Sequence, residues 1–357
     1  MDKKPYIVIM AGGIGSRFWP ESRRNKPKQF LDILGTGRTL LQMTFDRFSE
    51  LGDPSQFIVI THERYLEQVK EQLPELSYDQ ILTEPSRKNT ATCIAYACYK
   101  IYSKDPDASL IITPADHLIK EEGIFTSTVK QALTSAEIPN RLITIGIKPD
   151  RPETGYGYIQ YIDKKGEEIY KVKTFTEKPN EKLAQAFLDS GDFVWNSGIF
   201  IWKAKSLIYA LEQYLPDLVE VFSEGMSKFN TVHEAEFLIN AYSQVKSISI
   251  DYGVMEKSDK VFVIPGDFGW SDLGSWASLH EHNQKDENQN VVEANALLYD
   301  TKNSFIKTDN DRLVVVHGLE NYLINESGNI LLICKLDAEN KFREFVADAN
   351  KKGEDFV

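Results

Sequence analysis

The chain has 357 residues, more than a usual single domain, and its 42% apolar and 26% charged residues are values of a globular protein with a substantial core. Its net charge of −12, with no basic face outside residues 17–28, argues against a nucleic-acid partner. No apolar run approaches the ~20 residues that span a bilayer, no signal-peptide layout opens the chain, and Cys93, Cys98 and Cys334 lack CxxC spacing and are odd in number. A cytoplasmic protein with reduced thiols and no membrane partner is expected.

Residues 6–10, YIVIM, have the composition of a short buried strand. They pass into Ala11-Gly12-Gly13-Ile14-Gly15-Ser16-Arg17, where glycines let backbone N–H groups close in on a ligand and form an anion nest. Arg17, Arg23, Arg24, Lys26 and Lys28 add five cations within twelve residues, and both side-chain types grip phosphate. The dinucleotide fingerprint fails because Phe18 stands where its third glycine should be, and the ATPase loop GxxxxGK[ST] is absent.

Helical periodicity follows over residues 39–51, with Thr39 as N-cap, and then over 63–73, 89–102 and 123–136. Strands are predicted at 56–60, 79–82, 108–112 and 141–145. The alternation argues for parallel βαβ units in a doubly wound α/β sheet, whose ligands sit beyond the carboxyl ends of the strands. From 155 the character changes: runs at 157–162 and 168–175 flank the hairpin-like Asp163-Lys164-Lys165-Gly166. The polar segment 282–290 is the clearest boundary, giving a catalytic domain over 1–284 and a small β-rich domain over 285–357. In that tail, Asp309-Asn310-Asp311 and Ser327-Gly328-Asn329 are turns, and Val314, Val316, Leu323, Leu331 and Ile333 are available for one buried side.

Several motifs fall at the predicted strand ends. Asp116, in Thr113-Pro114-Ala115-Asp116-His117, suits a hard divalent cation such as Mg²⁺, which takes one or two carboxylates plus phosphate oxygens and water. It could equally start a turn. Asp272, in Gly269-Trp270-Ser271-Asp272-Leu273-Gly274, is a second carboxylate, or the N-cap of the helix that holds Trp276. Glu84 in EPSRKNT can accept from two adjacent N–H groups, as the guanine edge presents, with Asn89 and Thr90 at the helix start; a plain helix entry is the alternative. Glu153-Thr154-Gly155-Tyr156-Gly157-Tyr158 has glycines where a sugar ring could lie against backbone. Glu177 and Lys178 in FTEKP offer a carboxylate for sugar hydroxyls and an ammonium for a phosphate, and Asn196 in WNSGIF both donates and accepts.

GGxGxR followed by Pro-Lys-Gln-Phe resembles the signature of the sugar-phosphate nucleotidylyltransferases, and AGGIGSRFWP, PKQFL, PADH, EKP, WNSGIF and WSDLG together look most like the mannose-1-phosphate guanylyltransferases of that family. The resemblance implies a Rossmann-like, doubly wound mixed sheet. It implies transfer of GMP from GTP to mannose 1-phosphate, with Mg²⁺ or another divalent cation as cofactor and Asp116 and Asp272 as its ligands. Ala11, Gly12, Gly13, Gly15, Arg17, Lys28, Glu84 and Asn89 would hold the nucleotide; Gly157, Glu177, Lys178 and Asn196 the sugar phosphate. Arg17 and Lys28 would meet phosphates, leaving Arg23 and Arg24 on a mobile segment, and the tail would form a homodimer contact. Two rivals remain: another nucleotide or sugar 1-phosphate, and a non-catalytic homologue that senses a nucleotide sugar. Loss of Arg17, Asp116 or Asp272 would favour the last, and all three are present. The length leaves no room for an appended isomerase domain, so a single activity is expected.

Overall fold

The computed structural model describes residues 3–164, 166–308 and 312–357. Lys165, within the first expected turn, and the whole 309–311 turn lie outside the described residues. The chain divides into two compact units. One comprises Met1–Gly12, Thr44–Ala115 and Ile119–Trp270; the other comprises Gly13–Met43, Asp116–Leu118 and Ser271–Val357.

Among the described residues of the first unit, nine strands form one sheet: β1 (Tyr6–Met10), β2 (Phe57–His62), β3 (Ile81–Glu84), β4 (Ser109–Pro114), β5 (Leu142–Ile147), β6 (Tyr158–Tyr161), β7 (Tyr170–Thr176), β8 (Phe193–Lys203) and β9 (Val261–Gly266). Their order is β3-β2-β1-β4-β8-β5-β9-β7-β6. β1 runs parallel to β2 (Ile7 beside Phe57) and to β4 (Ile7 beside Ile111). Ile7, Val8 and Ile9 are fully buried, as strands covered on both faces require, which is why that run reads as continuously apolar. β8 enters antiparallel between β4 and β5, so the sheet is mixed.

The helix Asn89–Tyr102 keeps the predicted bounds and buries Ile94, Ala97, Cys98 and Ile101. Thr39 caps its helix, accepting the Gln42 N–H at 3.3 Å. Strand order reverses beside β1: β2 and β3 lie on one side of it, β4 on the other. Such a switch point opens a crevice at the strands' carboxyl ends, and the glycine loop leaves from the end of β1.

The second unit is built around Phe18, Trp276, Phe305 and Leu323. Its strands are β10 (Val291–Glu293), β11 (Ala296–Tyr299), β12 (Phe305–Thr308), β13 (Val314–His317), β14 (Tyr322–Ser327) and β15 (Ile330–Lys335). Val291, Phe305 and Leu323 stack in parallel register across β10, β12 and β14; β11 and β13 are also parallel, and β14 and β15 are antiparallel. The polar segment 282–290 is ordered within this unit, with Asp286 accepting the N–H groups of Asn288 and Asn290 at 2.8 Å each.

One expectation about the tail is corrected. Val316 and Leu323 are buried, but Leu331 and Ile333 are 58% and 55% exposed. Leu323 pairs with Cys334 and Asn325 with Leu332, so the inward residues of β15 are Ile330 and Leu332. Side chains alternate with period two, so a misjudgement of one residue in register exchanges the faces. Among the described residues, no helix is long and apolar enough to cross a membrane.

Candidate active site

In the second unit, the signature loop is shaped by its carbonyl groups. Gly13, Ile14 and Gly15 carbonyl oxygens accept from Gln29 Nε2 (3.0 Å), Ser22 Oγ (2.7 Å) and the Phe18 N–H (2.9 Å). Turning these partial negative charges toward the protein removes atoms that would repel a phosphate. Gly15 has φ +66°, and a Cβ there would lie 2.5 Å from Lys28 Cβ, so conformation and space both demand glycine. Gly13 and Arg17 are exposed.

Lys28 is buried, an uncommon place for an ammonium. Its Nζ donates to Asp116 Oδ2 (3.1 Å), the Asp116 carbonyl (3.2 Å) and the Asp272 carbonyl (2.7 Å), three acceptors for three N–H donors. Burial pushes the Asp116 carboxyl up, but the Lys28 charge, His117 and the Lys28 hydrogen bond together outweigh it and hold the group below its ordinary range. Asp272 Oδ1 accepts the Gly274 N–H at 2.9 Å. The helix Trp276–His282 is capped by Ser275, which accepts from the Ser278 N–H, so Asp272 is not the cap. Gly15, Arg17, Lys28, Asp116 and Asp272 line one cavity of about 240 Å³.

Two hard carboxylates on a cavity shared with a guanidinium and an ammonium fit Mg²⁺ accompanied by phosphate, and the ammonium beside Asp116 marks where positive charge is stable. No group of three or more His, Cys, Asp or Glu that could hold a metal occurs among the described residues. The rest of an octahedral shell would come from phosphate oxygens and water, the usual arrangement for Mg²⁺.

Arg23 departs from expectation. Its guanidinium donates to the carbonyls of Pro20 (3.1 Å), Ser327 (2.6 Å) and Asp355 (2.9 Å) and to Asn329 Oδ1 (3.1 Å). It is a fixed strut of the second unit, not part of a mobile segment. Nothing local in residues 21–26 announces partners some 300 positions away.

In the first unit, Ala11 is buried, donating to the Ile60 carbonyl (2.7 Å) and accepting from Thr61 Oγ1 (2.9 Å). Glu84, at the end of β3, is buried as well and accepts from Tyr242 Oη at 3.0 Å. A Cβ on Gly12 would lie 3.8 Å from Glu84 Oε2, so this carboxylate sits against the start of the loop. Burial pushes Glu84 up to about 7, against the opposing effects of Tyr242 and Arg87. Asn89 is exposed at φ +65°, its Oδ1 accepting the Thr90 N–H at 2.8 Å.

Gly157, Glu177, Lys178 and Asn196 come together in the same unit. A Cβ on Gly157 would stand 2.6 Å from Glu177 Oε2 and 3.4 Å from Asn196 Cβ, so glycine lets the carboxylate and the amide flank one backbone position. The Asn196 N–H donates to the Gly157 carbonyl at 2.8 Å, which fixes this strand entry. Lys178 takes a left-handed φ of +48°, and its Nζ pairs with Glu177 Oε1 at 3.0 Å. Tyr156 meets Trp195 and Trp270 edge-on at 5.1 and 5.2 Å, an aromatic wall of the kind that receives apolar ring faces. Sequence reasoning missed Asp251, whose Oδ1 accepts Asn196 Nδ2–H at 2.9 Å. Its one signal is an acid set between the buried Ile250 and the buried Gly253–Met255.

A family model for nucleotidyl transferases matches residues 6–289. A mannose-1-phosphate guanylyltransferase of Escherichia coli is 36% identical over 97% of this chain and 76% of its own. Mannose-1-phosphate guanylyltransferase 2 of Escherichia coli O157:H7 is 38% identical over 94% of this chain and 71% of its own. A solved structure described as mannose-1-phosphate geranyltransferase from Thermus thermophilus is 29% identical with a TM-score of 0.87, covering 98% of this chain and all of that one. On a match this long, the chain belongs to the nucleotidyl transferase family, as an enzyme of the branch that holds the mannose-1-phosphate guanylyltransferases.

Proposed function

We propose that this enzyme transfers GMP from GTP to mannose 1-phosphate, giving GDP-mannose and pyrophosphate. The observation that carries the reading is the cavity shared by Arg17, Lys28, Asp116 and Asp272. A phosphate oxygen of the sugar attacks the α-phosphorus of GTP in line, the bond to the bridging oxygen breaks, and pyrophosphate leaves with its electron pair. No protein nucleophile is required, so catalysis is positioning plus neutralisation of charge. The Gly12–Gly15 backbone and Arg17 hold the triphosphate. Lys28 supplies the fixed positive charge for the α-phosphate and the departing pyrophosphate, releasing its hold on Asp116 as it does so. Asp116 and Asp272 are the residues that would hold Mg²⁺, which when bound neutralises phosphate oxygens. Glu84 and Asn89 serve the base, Glu177 and Asn196 the sugar hydroxyls, with Gly157 as close backbone and Lys178 on the sugar's phosphate.

The names of the relatives at 36% and 38% identity support guanylyl and mannosyl specificity over the other nucleotides and sugars. A second copy of this chain is the proposed partner, supported by exposed apolar residues on β11, β13 and β15. Release of pyrophosphate, measured across four nucleotides and several sugar 1-phosphates, tests the assignment: GTP with mannose 1-phosphate should give the highest kcat/KM. Glu177→Gln should raise KM for mannose 1-phosphate about tenfold and leave that for GTP nearly unmoved, since an unpaired hydroxyl costs about 1–3 kcal/mol.

A further inference from the structure

Asp251 opens a short π-helical turn, Asp251–Met255, in an otherwise apolar stretch. Isolated π-turns recur at functional sites because they displace one residue from regular packing. The preceding backbone is fixed: the Ile250 N–H donates to Thr90 Oγ1 at 2.9 Å, and the Ala91 N–H donates to the Ile248 carbonyl at 3.1 Å.

The partner of that carboxylate is Asn196. The amide's Oδ1 lies 3.2 Å from the Gly198 N–H, which can only donate, and 3.2 Å from Thr144 Oγ1. Its Nδ2 lies 2.9 Å from Asp251 Oδ1, which accepts. The amide therefore has one permitted orientation, set by the Gly198 N–H at its oxygen and by Asp251 at its nitrogen, with one of its two N–H groups taken. A single Nδ2–H is left to donate, on a side chain whose Cβ lies against the Gly157 backbone that the Glu177 carboxylate also approaches.

We infer that Asp251 is the positioning residue of the sugar pocket: it clamps the Asn196 amide so that one N–H is presented to a sugar hydroxyl, while Glu177 accepts from a neighbouring one. The inference rests on the proposed mannosyl transfer and deepens it. A ring hydroxyl both donates and accepts, so a fixed donor next to a fixed acceptor reads two adjacent hydroxyls and their relative orientation. Without the Asp251 acceptor only the Gly198 N–H would orient the amide, and its N–H groups would be aimed less firmly at the sugar. Burial and then the nearby Glu177 charge push the Asp251 carboxyl up to about 6, as expected of two acids gathered around one polar ligand.

Two variants separate positioning from mere packing. Asp251→Leu keeps the shape and removes the acceptor; Asp251→Asn keeps an acceptor oxygen. The expected result is a KM for mannose 1-phosphate raised about tenfold in Asp251→Leu and by no more than about threefold in Asp251→Asn, with kcat and the KM for GTP much less affected. Asn196→Ala combined with Asp251→Leu should be little worse than either alone, because the two act as one unit. Parallel increases in both Michaelis constants, full multiplication of the two effects, or a tenfold loss in a folded Asp251→Asn would each overturn the inference. Failure of the native enzyme to use mannose 1-phosphate at all would instead overturn the substrate assignment, so the two failures read differently.

Discussion

Asp116 and Asp251 are both aspartates at candidate functional positions, and their surroundings drive them in opposite directions. Asp116 has a buried ammonium at 3.1 Å and stays ionised below its ordinary range. Asp251 has the amide of Asn196 for a partner and the charge of Glu177 for a neighbour, and it is pushed up to about 6. The first environment suits a ligand that brings cations and phosphates together; the second suits a neutral, hydroxyl-rich one. Glu84, pushed up to about 7, belongs with the second kind. The residue type says little about the task until the neighbouring charges are counted.

The comparison breaks most readily on the metal side. Asp116→Asn and Asp272→Asn should each lower kcat by at least about 100-fold, the scale of losing one preorganised charge-stabilising group; Asp272→Asn should change the melting temperature little, while Asp116→Asn, which removes the counter-charge of the buried Lys28, should lower it. Near-normal turnover of Asp272→Asn at saturating Mg²⁺ would leave that residue as no more than a partner of the Gly274 N–H.

The raised acids predict a pH dependence of stability. Glu84 binds its proton more tightly folded, at about 7, than its ordinary 4.5. The folded state therefore loses stability as pH climbs from about 4.5 to about 7, and the loss is complete above that. Glu84→Gln does not titrate, so its stability relative to the native protein should rise across that window by on the order of 2–3 kcal/mol. Urea midpoints at pH 5 and pH 8 would measure this, and equal differences at the two values would contradict it.

The two arginines of the signature loop sharpen the contrast between holding structure and holding ligand. Arg17→Ala should lower kcat/KM by at least about tenfold with stability unchanged. Arg23→Ala strips a donor from three carbonyls and Asn329, so it should cost about 1–3 kcal/mol of stability. Raised salt should weaken substrate binding through the exposed Arg17 and leave the Arg23 network largely unaffected.

Much of this was readable in the sequence, for identifiable reasons. β1 is an apolar run because it is covered on both faces, and the helix Asn89–Tyr102 is legible as a long, largely apolar segment because it is buried all round from Ala91 to Ile101. Of the signature glycines, Gly15 was legible because a positive φ and a close approach leave no alternative. What was not legible depends on contacts made across long stretches of chain. Asp251 lies 55 residues from Asn196, and Arg23 lies 332 from Asp355. The antiparallel entry of β8 and the register of β15 are likewise set by partners, not by local composition.

The smallest effect on turnover should come from the β-rich tail. The parallel stack of β10, β12 and β14 buries Val291, Phe305 and Leu323, and the antiparallel β15 adds Ile330 and Leu332 to that side. Leu331 and Ile333 are consequently turned outward on β15, and Leu297 and Val315 are paired and exposed across β11 and β13. Leu331 and Ile333 thus lie exposed on one small sheet and Leu297 and Val315 on another, and exposed apolar surface of this kind commonly marks a site of association. None of the proposed phosphate, metal or sugar residues lies on these strands. Leu331→Lys together with Ile333→Lys should therefore halve the mass seen by light scattering while kcat stays within about twofold, since two charges facing their own copies oppose association. A native protein that is already monomeric at the same concentration would leave that surface without the proposed partner, and a variant that stays dimeric would move the contact elsewhere.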